Sequence, residues 1–431
     1  MNIILDDAPK TNIPIEIKDY SSLLLCSFLY QPLFILNDGK FIENIVTDKT
    51  TDKHIILEFK EVYWSNGELL TAEDFMNTIF YILENKLYAS NYLTFIEGVE
   101  EYLDEEININ EIGIYIEKNS ICIKNKYQGN YYKYLFSTIY FAPLKIKNGF
   151  ILKNVTFGKY KMISKDNSLS LSSNVYNNKS NVEKINFWID KDPKNNIVRF
   201  LQDNIDFTST TLLYEEHVNG IAEKEEFKSK TSNLQLRLEF RNGSVNLKKD
   251  ISKHLISILT TDKYLSKDMN IILEKNIEKL IPENVYNIPK NTIKLLYADY
   301  YPNNKIAYSI FEFYKAKNLD VDLYTGNFDF FLKEYDKNKY DIVINIISPI
   351  TKHLLDYFIE KISFFEKDYL DEYIIMLNKW IEGEETKRNL VEYISKYSLI
   401  LEVGNLKHNY LLNDKYVNKI YIDDNDNIII K

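Results

Sequence analysis

WSNGELLTAEDF, residues Trp64 to Phe75, reads as a strand end, a tight turn and the first turn of a helix. Ser65-Asn66-Gly67 supplies the turn, with glycine where positive φ is needed. Thr71 is the N-cap: its hydroxyl can accept from the amide of Asp74, and the Asp74 carboxylate can reach back to the Thr71 amide. Acid at Glu73 and Asp74 suits the positive end of the helix dipole. Taken alone, the stretch is a well-built helix start.

Upstream, IILEF (Ile55 to Phe59) reads as a buried strand, and Asn37-Asp38-Gly39 as a turn. LLCSFLYQPLF (Leu24 to Phe34) is an apolar run, preceded by Asn12-Ile13-Pro14 and a first strand NIIL. Downstream, strands from Val155 to Phe207 enclose one amphipathic helix, in which Ile197, Phe200 and Leu201 are expected to share a face. The pattern then becomes α/β, with helices near 249–259 and 306–315 and strands TIKLLYA, VDLY and DIVINII. That alternation predicts a mostly parallel sheet covered on both faces. A long helix from Glu372 to about Tyr397 and strands KIYID and NIIIK complete the chain. No Gly, Pro or Ser linker divides it, so its parts must be joined by chain crossings inside a compact body.

The bulk properties narrow the function. At 431 residues, with 45% hydrophobic and 27% charged residues, the chain can form more than one core. A net charge of -10 and only four arginines (Arg199, Arg237, Arg241, Arg388) argue against a nucleic-acid backbone as partner. Cys26 and Cys122 stand far apart without a CxxC, as buried thiols would. His54, His217, His254, His353 and His408 are scattered, outside any HExxH or nucleophile-elbow pattern. No GxGxxG or GxxxxGK loop is present, and paired acids such as Glu100-Glu101 and Glu384-Glu385 read as solvated faces. No apolar run reaches the roughly 18 residues of a membrane span. The start, MNIILDDAPK, has neither a basic n-region nor an apolar h-region.

In this order the segments resemble solute-binding protein family 5, the dipeptide, oligopeptide and nickel binders of ABC importers. The family's aromatic-Ser-Asp/Asn-Gly turn and Thr-Ala-Glu-Asp helix start match Trp64 to Asp74, with Leu69 at the usual proline. LLCSFLYQPLF looks like the family's helix and Leu-Tyr-Glu-Pro-Leu turn, with Gln31 for the acid. FGKYKM (Phe157 to Met162) resembles the Gly-Pro-Tyr-Lys strand, Ile205-Asp206 the end of Gly-Glu-Ile-Asp, and RNGSVNLKKDISKHLISIL the opening of the second lobe. YDIVINIISP (Tyr340 to Pro349) resembles the strand that ends at the ligand cleft.

The resemblance implies an α/β, two-lobed, periplasmic-binding-protein-like fold (class II, cluster C) with an extra subdomain inserted in the first lobe. The implied division is 1–22, 154–239 and 401–431 for the first lobe, 23–153 for the subdomain and 240–400 for the second lobe. It implies capture of a peptide or similar small solute by hinge closure, with no cofactor, metal or catalytic residue, a monomeric state, and ABC permease subunits as partners. Gapless matching places Lys18, Asp19 and Tyr20 on the first-lobe wall, and Ile346, Ile347, Ser348 and Ile350 on the second. Peptide binders of the family end the second wall with an aromatic and an Asp that pairs with the ligand's α-ammonium; Ile347 and Ile350 stand at those places, and Asp19 is the candidate to supply the charge. An extracytoplasmic location is expected if a signal was removed before Met1, and a cytoplasmic one if Met1 is the native start. The alternatives are a cytoplasmic sensing or accessory protein on the same fold, and an enzyme on the same scaffold.

Overall fold

A computed structural model describes residues 1–51, 54–126, 129–165, 168–177, 182–218, 220–241, 245–273, 292–381 and 383–430. Strand β1 (Asn2–Leu5) runs parallel to Lys184–Ile189, pairing Ile3 with Phe187; Ser168–Ser173 and Tyr160–Lys165 add antiparallel. Helix α1 (Tyr20–Leu29) covers this sheet. Its C-terminal turn lies against Gly158, where a Cβ would meet the Phe28 carbonyl oxygen at 2.3 Å. FGKYKM thus carries glycine because the strand meets backbone there.

In chain order between α1 and Tyr160–Lys165, residues of the 23–153 stretch form a four-stranded sheet of Val46–Asp48, His54–Phe59, Ser120–Lys124 and Ile114–Glu117. Helix α2 (Ala72–Glu84) packs on it through Phe75, Ile79, Ile82 and Leu83, all fully buried. The expected capping box is present in both directions. The Asp74 carboxylate also accepts from the buried Trp64 indole at 3.1 Å and pairs with Lys145 at 3.1 Å, so the turn and helix start share one polar anchor. One continuous core joins this stretch to β1, α1 and the C-terminal Leu412, Ile420, Ile422, Ile428 and Ile430.

A second core surrounds a six-stranded sheet. Strands β2 (Phe227–Phe240), β3 (Met269–Ile271), β4 (Thr292–Ala298), β5 (Asp320–Gly326), β6 (Ile342–Ile347) and β7 (Ile400–Leu411) lie in the order β3-β7-β2-β6-β4-β5. One face packs on Val245–Thr261 and α3 (Asn303–Lys315); Leu238, Leu295, Ile344, Ile251, Ile306 and Ile310 meet there. The other face is covered by Phe328–Tyr335 and by a bundle of α4 (Leu354–Lys361), α5 (Lys367–Ile381) and α6 (Lys387–Tyr397).

Three expectations change. The sheet is mixed: β4 is parallel to β5 and β6, whereas β2 is antiparallel to β6 and β7, because β2 and β7 are long strands that cross between the two bodies. The single helix expected over 372–397 is two helices. Gly383 takes φ 82° between them, and Thr386 starts α6 by accepting from the Asn389 amide at 3.4 Å. Leu201 is half exposed rather than facing inward with Phe200, because the helix Pro193–Leu201 ends there. Cys26 and Cys122 are free and buried. Part of RNGSVNLKKDISKHLISIL, residues 242–244, lies outside the described residues.

Candidate functional site

The two bodies meet where β1 and β4 end. Open parallel sheets present ligands with the crevice outside the carboxyl ends of their strands. The loop after β1 is pinned to α1 by Ser22, whose hydroxyl oxygen accepts from the Lys10 and Thr11 amides at 2.8 and 3.1 Å. Asp6, first in that loop and half-buried, accepts from Ser21 Oγ and Thr211 Oγ1, both at 2.7 Å. Opposite stand Tyr300, Tyr301 and Asn303, between β4 and the start of α3. Tyr214 donates to the Tyr301 carbonyl at 3.1 Å, with ring centroids 4.2 Å apart. Lys10 pairs with Asp329 across the junction at 3.2 Å. Burial pushes the Tyr20, Tyr214 and Tyr300 hydroxyls above the usual phenol range, and the charge of Asp6 adds to each shift.

Next to this cluster, Tyr20 packs on His408 of β7 at 5.0 Å between centroids. His408 Nδ1 lies 3.2 Å from the Thr210 carbonyl and Nε2 lies 3.4 Å from Asp426. Asp426 in turn accepts from the Asn233 amide of β2 at 2.7 Å. The pairing of β2 with β7 is irregular between Thr231 and Gln235 and again between Leu236 and Arg237, where the ribbon passes from the first core to the second.

At the far end, the segment after β6 is pressed onto the first body. Ile350 and Leu355 join its core. Tyr131 donates to Asp356 at 2.6 Å, and Thr351 also donates to Asp356. Burial pushes the Asp356 carboxyl up to about 6. His353 caps α4 by accepting from the Leu355 amide at 3.1 Å, and its ring sits 5.0 Å from both Tyr131 and Tyr134. The same helix holds the crossing strands. Arg237 of β2 reaches Glu360 and pairs with Glu239 at 2.9 Å, while Lys361 pairs with Glu402 of β7 at 2.7 Å. Tyr357 donates to Glu402 at 2.9 Å.

The structure of the Escherichia coli murein tripeptide binding protein MppA superposes with a TM-score of 0.77 at 14% identity, over 100% of this chain and 98% of that one. Haemophilus influenzae OppA in complex with the peptide RPPGFSPFR gives 0.77 at 15% identity, over 99% and 98%. This is the two-lobed fold of the oligopeptide-binding proteins. The unliganded open form of MppA gives only 0.63 at 14% identity, over 100% and 97%, so the two lobes are set less like that open arrangement. No protein-family model matches the sequence, and no curated protein matches it either. These neighbours in the binding-protein fold are binders rather than enzymes.

Within that fold, Lys18 is exposed, and Asp19 is the N-cap of α1, its two oxygens taken by the Ser22 amide at 2.8 Å and the Ser22 hydroxyl at 2.6 Å. The Tyr20 hydroxyl is buried near Thr210 but outside hydrogen-bonding geometry. Ile346 and Ile347 end β6 opposite Leu236 and Gln235, and Ser348 and Ile350 are half-buried beyond it. Tyr20 and Ile350 pack on the same first-lobe core, but no hydrogen bond joins residues 18–20 to 346–350 among the described residues. Sequence reasoning missed Asp6, Tyr214, Tyr300 and the pair Tyr131 and Asp356. Asp6 had a signal, since it follows the first strand directly; the others meet across more than 200 residues of chain or on unmarked loops.

Among the described residues, no cluster of three or more His, Cys, Asp or Glu is arranged to hold a metal ion. No described helix is long and apolar enough to cross a membrane.

Proposed function

We propose that the protein is a substrate-binding component of a peptide-type ABC importer, working outside the cytoplasmic membrane. It encloses a peptide or similar small solute between its lobes and releases it chemically unchanged. The observation that carries this reading is the crossing ribbon of β2 and β7, whose pairing becomes irregular where it passes from the first core to the second. Bending there opens and closes the crevice while both cores stay intact, which is hinge motion. Solute contacts from both walls favour the closed arrangement, and a transporter can read that state. The whole-chain match to a peptide-bound relative supports the same reading. The extracytoplasmic placement rests on the neighbour named as periplasmic.

The test is mass spectrometry of the small molecules freed when the purified protein is denatured, followed by solution scattering with and without the solute found. An intact solute and a smaller radius of gyration in its presence are expected. Conversion of the solute during incubation would overturn the reading.

A further inference from the structure

We propose that Asp6 is an ammonium anchor, so that the positive end of the solute is held by the first lobe; this rests on the solute-binding reading above. Four other acids around the crevice, Asp7, Asp19, Asp268 and Asp329, are already committed. Asp7 pairs with Lys191 at 3.0 Å and Asp329 with Lys10 at 3.2 Å. Asp19 caps α1, and Asp268 accepts from Tyr301 at 2.6 Å and from the Glu215 amide at 2.7 Å. Asp6 is different. Its partners are the neutral hydroxyls of Ser21 and Thr211, and among the described residues no Lys, Arg or His stands within ion-pair distance of it.

A half-buried carboxylate held by two hydroxyls still has lone pairs to offer. Around it stand Tyr20, Tyr214 and Tyr300, each close enough to feel its charge. Aromatic faces and a carboxylate together make an environment in which a partly desolvated ammonium is paired instead of stranded. On the other wall the acid beside Tyr300, Asp299, is exposed to solvent rather than half-buried, and an exposed pair contributes little. Ile350 is apolar and packs on the first-lobe core, and the next ionisable side chain, Lys352, is itself cationic. A positive group placed there would gain little, whereas at Asp6 it completes an ion pair.

The ammonium could belong to a peptide N-terminus or to a free polyamine. Titration calorimetry of the full chain with trialanine, N-acetyl-trialanine and spermidine separates these sources. At least one amine-bearing probe is expected to bind about tenfold or more tighter than the blocked peptide, and Asp6→Asn to erase that difference. Asp6→Glu, which keeps the charge, is expected to retain part of it and decides the matter if Asp6→Asn does not fold. Equal binding of free and blocked probes by the wild type, or an amine preference surviving in folded Asp6→Asn, would overturn the proposal. So would a failure of every probe to bind. If the solute freed on denaturation carries no cationic group, the anchor falls and the solute-binding reading stands. If no solute is carried and no probe binds, both fall.

Discussion

The two ends of the contact between the lobes are built differently. At the β1 and β4 end, a carboxylate faces tyrosines and hydroxyls, with its charge uncompensated by any cation among the described residues. At the α4 end, the lobes touch directly: Tyr131 bonds Asp356, His353 packs among Tyr131 and Tyr134, and Ile350 and Leu355 enter the first-lobe core. Both ends carry contacts between the lobes, through Tyr214 and Tyr301 and through Lys10 and Asp329 at the first, but only the first also holds a carboxylate with no cation partner among the described residues. A closing crevice needs both kinds, because protein contacts alone would hold it shut regardless of solute, and differential solute contacts are what make closure a response.

The comparison can be broken most severely at Tyr20, between the two ends. Tyr20→Ala removes a ring packed on His408 and should lower the unfolding free energy by about 3 kcal/mol in chemical denaturation. Tyr20→Phe should be close to neutral, since the lost hydroxyl is buried without a hydrogen bond. A large loss in Tyr20→Phe would mean that the hydroxyl has a partner after all.

The α4 end should respond to acid. Asp356 is pushed up to about 6 by burial, above the roughly 3.9 of a free aspartate. Between about pH 4 and 6 the unfolded chain holds fewer protons at this site than the folded one. Stability contributed here is thus present at low pH, lost as pH rises through that window, and level above it. The loss runs at about 1.4 kcal/mol for each pH unit separating the folded and free values. Asp356→Asn should flatten this limb of the stability profile, and an unchanged limb would assign it to other groups such as Asp423, pushed up to about 7.

Tyr131→Phe leaves the buried Asp356 with one donor fewer. It should cost about 1–2 kcal/mol and shift a lobe-to-lobe fluorescence transfer signal toward the open form. An unaltered signal would show that the contact does not hold the lobes together. The smallest effect belongs to Lys10→Ala at the crevice rim. Its pair with Asp329 is about half exposed, so a change under about 1 kcal/mol that vanishes in high salt is expected.

These two ends were unequally legible in the sequence. The fold was readable where its determinants are local: Thr71 and Asp74 cap α2 as their spacing predicts, and the Asn37-Asp38-Gly39 turn takes positive φ at Asp38 and Gly39. The break at Gly383 was hidden because apolar periodicity continues on both sides of it. The mixed sheet was hidden because a crossing strand and a crossover strand are equally apolar. In the crevice, Asp6 lies beside Thr211 only after 205 residues of chain, and near Tyr300 only after the chain has crossed between lobes, and no spacing encodes that. Asp19 was the candidate anchor for a different, local reason, since its value as a helix cap depends on where α1 begins.

Helix α4 carries Asp356 at one turn and Glu360 and Lys361 at the next. The first is gripped by Tyr131, while the other two are bound by charge to Arg237 and Glu402 on the crossing strands. Buried charges give up their partners only at a cost of several kcal/mol. The helix therefore works as a stiff lever between a distant handhold and the pivot itself. A push on Tyr131 is delivered to the strands that cross between the lobes.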